Sequence, residues 1–261
     1  MKRSSGVRLC ATAAVGALSL ALVTGCSDEG SKGAGGAGGT DGKPAARALG
    51  TAELKKLIVA GGEVPGYKVG AVPATRAKPI TTDSAECRPL ARVLSGLPPA
   101  EAAAQTDRLA TQERKKDPTD DATSLDDMAD GKFEDAIKKS MDLDVTTVNL
   151  SSYDGDGAAK ALESVSAAVR ACAGGFAGKQ SGTGMKFTEV AESKAAAAGD
   201  ESVAFEAISE MDGDSAPVYG EVVRHGNTLA SYYTVNIGAM MAKKAYSVSP
   251  EVVKAQSAKL K

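Results

Sequence analysis

Hydrophobic and polar positions along this chain follow two periods, and the switches between them mark out its elements. Leu54, Leu57 and Ile58 recur at helical spacing behind Thr51 and ahead of Gly61-Gly62, which predicts a short first helix over 51–60. After Pro65-Gly66 the pattern alternates, predicting a strand over 67–72. Asp83 or Ser84 can cap a helix carrying Cys87, Leu90, Val93 and Leu94, stopped by Gly96 and Pro98-Pro99. The β-branched run from Val145 to Tyr153 reads as a strand. Asp154 or Asp156 then caps the clearest helix, 158–173, with Leu162, Val165, Val169 and Cys172 on one face and Gly174-Gly175 at its end. Alternation returns at 186–191, 202–209, 218–224 and 228–237. His225-Gly226-Asn227 lies between the last two and is the strongest hairpin signal, because Gly226 supplies the positive φ a tight turn needs. Ser249-Pro250 opens a final helix with Val252, Val253 and Ala255.

Residues 100–140 break this rhythm. A helix-forming EAAAQTDRLATQERKK is followed by a charged DPTDDATSLDDMADG and an amphipathic Phe133 to Met141, which predicts a surface excursion, mobile in part. The whole order predicts an α+β domain over 49–261: a single antiparallel sheet with helices packed on it.

The first 48 residues obey a different logic. Lys2, Arg3 and Arg8 precede an apolar run from Ala11 to Val23, too short for a permanent membrane span and followed by small residues, as in a signal peptide occupying 1–25. Val23-Thr24-Gly25-Cys26 resembles the bacterial lipobox, in which an aliphatic and two small residues precede a Cys whose thiol takes a diacylglycerol. Cys26 is therefore the expected lipidation site, and the protein is expected on the extracytoplasmic face of the cell membrane, held there by palmitate-type acyl chains. Residues 26–48 are rich in Gly and small polar residues and form a flexible tether with an r.m.s. reach of roughly 25 Å.

Cleavage after residue 25 leaves 28 basic and 33 acidic side chains, a formal charge of −5. That balance argues against nucleic acid as a partner, since phosphate binding needs a basic surplus. The expected partners are the membrane, through the lipid on Cys26, and a small-molecule or envelope ligand. Cys10 leaves with the signal peptide, so Cys87 and Cys172 remain, 85 residues apart. Two Cys outside the cytoplasm usually pair, and a disulfide is expected; the alternative, a reactive thiol, has no His near either Cys in sequence.

No residue set points to catalysis. His225 is the single imidazole, at an expected exposed turn, and no GxSxG is present for a triad. Asp154-Gly-Asp156-Gly, Asp212-Gly-Asp214 and Asp120-Asp121 suggest calcium, but the fifth loop position counted from Asp154 is Ala158, so capping and turn roles account for them and no metal or cofactor is expected. Phe187, Phe205, Tyr219, Tyr232 and Tyr233 stand on the meander. Core packing accounts for most of them, while adjacent Tyr232 and Tyr233 point to opposite faces. Arg224 with Tyr232 is the candidate ligand cleft.

The succession of a Cys-bearing helix, SYDGDGAAKALESVSAAVRAC, AGDESVAFEA and YGEVVRHGNTLASYYTV resembles the extracytoplasmic sensor domain of the mycobacterial kinase PknH and the lipoproteins built on it, over roughly residues 50–261. The most specific pieces are the helix ending in Cys172, the Gly199-Asp200-Glu201 turn, and Val223-Arg224 with Gly226. The resemblance implies an antiparallel sheet with helices around a cleft and ligand sensing without catalysis. Two departures stand out: such domains typically hold two disulfides where this chain can hold one, and the Trp often preceding the helix Cys is missing. The expectation is a non-catalytic, lipid-anchored sensor or ligand-binding lipoprotein; the alternative is a structural or adaptor lipoprotein that binds another envelope protein through 100–140.

Overall fold

A computed structural model describes residues 46–74, 78–114, 132–196, 198–211 and 214–261. The expectations for the signal peptide, for Cys26 and nearly all of the tether, and for the charged middle of the 100–140 stretch lie outside those residues. Nine strands form one antiparallel sheet: β1 (Tyr67–Gly70), β2 (Ile80–Thr81), β3 (Ala104–Gln112), β4 (Val145–Ser152), β5 (Phe176–Gln180), β6 (Thr183–Glu192), β7 (Glu201–Met211), β8 (Asp214–His225) and β9 (Thr228–Val235). Their spatial order is β1-β3-β4-β9-β8-β7-β6-β5-β2. Among the described residues six helices accompany it: α1 (Thr51–Leu57), α2 (Arg88–Val93), α3 (Lys132–Met141), α4 (Gly157–Ala171), α5 (Ile237–Met241) and α6 (Pro250–Ala258). The expected α+β class is the one observed.

Strand alternation sends side chains to two faces, and each face is covered. On one, Phe176, Phe187, Phe205, Val218, Val222 and Leu229 pack under α2 and α4. Cys87, at the N-terminus of α2, and Cys172, at the C-terminus of α4, are joined there by a disulfide, with Cα atoms 5.9 Å apart. On the other face, Val148, Leu150, Tyr219, Val223, Ala230 and Tyr232 pack under α1 and α6. A fully buried Gln256 fixes α6 to α1: its Oε1 accepts the Val59 N–H at 2.9 Å and its Nε2 donates to the Leu57 carbonyl at 2.9 Å.

Three differences from expectation have physical reasons. Residues 104–112, expected as helix, are β3, paired with eight residues of β4 and with β1. Thr106 and Ala110 supply the buried side of that strand, and ladder formation against β4 outweighs the modest helix preference of Ala, Gln and Arg. β9 stops at Val235 because Asn236 caps α5, its Oδ1 accepting the Ala239 N–H at 2.9 Å. The last residues assigned to the tether belong to the folded body. The Ala48 N–H donates to Asp154 Oδ1 (2.9 Å), the Leu49 N–H to Ser152 Oγ (3.0 Å), the Gly155 N–H to the Ala46 carbonyl (2.9 Å), and Asn227 Nδ2 to the Arg47 carbonyl (2.7 Å).

Candidate functional site

The residues that follow the loop into β7 and those that end β8 meet in one latch. Gly199 sits at φ 69°, and a Cβ there would lie 2.4 Å from the Arg224 carbonyl oxygen, so only glycine fits. The approach lets the Asp200 N–H donate to that carbonyl at 2.8 Å. Asp200 Oδ2 accepts the Gly226 N–H (2.7 Å) and pairs with Arg224 Nη1 (3.2 Å), while Arg224 Nε binds Glu201 Oε2 (3.0 Å). Gly226, at φ 60°, closes the two-residue β8–β9 hairpin as a primed turn requires. Arg224 is thus committed to two carboxylates and to the Gly226 carbonyl (3.1 Å). Expected as a ligand contact in a cleft, Arg224 in the structure holds together the Asp200 and Gly226 turns beside the cavity.

Tyr232 departs further from expectation. It is 0% exposed at the centre of β9, opposite Glu221 of β8, because α6 covers that face of the sheet. It lines no cleft. Tyr233, on the other face, borders a hollow of about 270 Å³ with Thr147, Ser95 and Met185.

Between the latch and α6 lies a larger cavity, about 710 Å³. Ala196, Ala198, Pro250 and Leu260 give it apolar walls. Its polar lining includes Lys254 and Lys261, which form no ion pair among the described residues, together with His225 and Ser257. His225 was expected as an exposed turn residue, but it is half-buried and its Nε2 has no hydrogen-bond partner. Burial lowers the His225 pKa, and Arg224 lowers it further against the opposing pull of Asp200.

Behind Ser257 and Ala196 the polar character continues into the core. Glu221 is 1% exposed, its Oε1 accepts the Ala196 N–H at 3.0 Å, and burial pushes its pKa up to about 7. The Tyr232 hydroxyl, whose pKa is raised by burial and by Glu221, faces the Ser257 hydroxyl without reaching hydrogen-bonding geometry. Ser257 Oγ is itself buried and unpartnered. The sequence reading missed Lys254, Ser257 and Lys261; the amphipathic α6 was visible, but not which strands it would cover.

A second concavity, about 480 Å³, lies beside α5 and is lined by Ile237, Met240, Met241 and Ser209. Ile137, Met141, Ile237 and Met241 are the large hydrophobic side chains left exposed among the described residues, and all four lie on α3 and α5, which pack together.

No family model matches the chain, and no curated protein matches it. Among solved structures it is similar to the extracellular domain of PknH from Mycobacterium tuberculosis, with 10% identity and a TM-score of 0.47 over 82% of this chain and 95% of that one.

Proposed function

We propose that the chain is a non-catalytic, lipid-anchored sensor or ligand-binding lipoprotein on the extracytoplasmic face of the cell membrane. The observation that carries the ligand-binding part is the cavity of about 710 Å³ with apolar walls and a few unpaired polar groups, the make-up of small-molecule sites. The lipobox-like Val23-Thr24-Gly25-Cys26 and the Gly-rich tether support anchoring, and the Cys87–Cys172 disulfide suits an oxidising compartment. Intact-mass analysis of membrane-extracted protein, beside its Cys26→Ala variant, tests the anchored part. A diacylglycerol mass lost on substitution is the expected result; an unmodified chain in the soluble fraction would overturn it.

The exposed Ile and Met side chains on α3 and α5 favour a second reading, an adaptor that docks another envelope protein. A partner retained after deletion of residues 113–141 would remove that reading.

A further inference from the structure

We propose that the cavity between α6 and the 198–200 turn takes an amphiphilic organic anion, a carboxylate or phosphate ester carrying an apolar body. The proposal rests on the ligand-binding reading above and names its ligand class. Four groups define the polar side of the cavity. Lys254 and Lys261 both line it, and neither ammonium is paired with a carboxylate among the described residues. Ser257 Oγ, on a residue 6% exposed, is buried with no partner and can donate to an anion. His225 Nε2, also without a partner, supplies a second donor when its proton sits there.

The acidic residue on the lining, Asp200, is already engaged by Arg224 and by the Gly226 N–H. It therefore offers little to an incoming cation, whereas the two lysines are unspent. Ala196, Ala198 and Leu260 face the same space and match a hydrocarbon body, while a wholly polar anion would leave them in contact with water. Two unpaired cations, two neutral donors and an apolar wall together describe the head and the body of one ligand.

Four probes of one chain length test this in the isotope-labelled full chain: octanoate, octyl phosphate, octanol and octylammonium. Backbone amide shifts locate binding and give affinities. At least one of the two anions is expected to shift 196, 198–200, 225–226 and 250–261 and to bind at least tenfold tighter than octanol. The Lys254→Ala/Lys261→Ala variant should erase that preference and leave octanol binding unchanged. Ser257→Ala should weaken the anion a few-fold. If octanol or octylammonium binds the cavity as tightly as the anions, the anion assignment is overturned and the ligand-binding reading stands. Anion-induced shifts confined to the Ile237 and Met241 groove would overturn the site. A cavity silent to all four probes overturns the ligand class and the ligand-binding reading together.

Discussion

The two faces of the sheet are filled with different aromatics. Under α2 and α4 the buried rings are Phe176, Phe187 and Phe205 with a single tyrosine, Tyr153, whose hydroxyl has a partner; Phe176 and Phe187 stack at 4.7 Å and a disulfide closes the helices over them. Under α1 and α6 they are Tyr67, Tyr219 and Tyr232, and Glu221 is buried among them. The first face has a polar strip of its own, where Asn149 Oδ1 and Ser231 Oγ lack partners, yet among the described residues it buries no carboxylate. Phenyl rings and a covalent link gain stability without leaving polar atoms to satisfy. Tyrosines and a carboxylic acid bring hydroxyls and charge that the core only partly answers, and the cavity lies against that second face. Local rules of core composition are broken on the face that carries the cavity.

The contrast can be broken most severely at the disulfide. The Cys87→Ala/Cys172→Ala variant should lose about 4 kcal/mol, from the entropy of an unlinked 85-residue loop, and melt roughly 10 °C lower. A melting temperature unchanged within about 2 °C would show that the first face holds without its staple. The next effect is at Glu221. A carboxyl whose folded pKa is raised to about 7 binds its proton more tightly in the native state than in the unfolded chain. Its contribution is fully present below the unfolded value near 4.5 and is lost as pH rises through about 7. Glu221→Gln, which keeps the acceptor for Ala196, should therefore be more stable than the parent at pH 8, by on the order of 3 kcal/mol, and indistinguishable from it at pH 4. Denaturant titrations at the two pH values check both sign and size; a variant less stable at pH 8 would refute the assignment.

The smallest effect separates two tyrosines. Tyr153, on the first face, donates its hydroxyl hydrogen to the Ala100 carbonyl, and Tyr153→Phe should cost about 1 kcal/mol. Tyr232 has no such partner, so Tyr232→Phe should be neutral or slightly stabilising. Equal losses in parallel unfolding curves would show that the Tyr232 hydroxyl is satisfied after all.

What was legible in the sequence was what is encoded locally. β4, α4, the hairpin at Gly226 and α6 each carry their own period, cap or turn residue, and the disulfide followed from the two Cys that remain once Cys10 and Cys26 are set aside. β3 was not legible, because 104–112 is rich in helix formers and becomes a strand only once β4 lies beside it. β5 and its turn had a signal that went unread: Ser181 and Gly182 both take positive φ, 51° and 85°, as a primed hairpin loop demands. The candidate site was half visible. Arg224 and Tyr232 were singled out as cleft residues; Arg224 holds the turns that line the cavity, while Tyr232 is wholly buried beneath α6. The lining comes from α6, docked by a hydrogen bond from Val59 to Gln256 across 197 residues of sequence, a pairing no local pattern encodes.

The hydrogen bonds that seize residues 46–49 also bear on how the domain would carry load. A pull arriving from the N-terminal side meets Asp154, Ser152 and Asn227, which stand where β4 ends and β9 begins. Tension therefore enters the middle of the sheet and not at an edge strand that could be peeled away pair by pair. The ladder between β4 and β9 joins eight residue pairs, from Val145↔Val235 to Ser152↔Thr228, and its neighbours β3 and β8 brace it on either side. A force applied ahead of residue 46 would thus be resisted by paired strands on both sides before it reached the cavity.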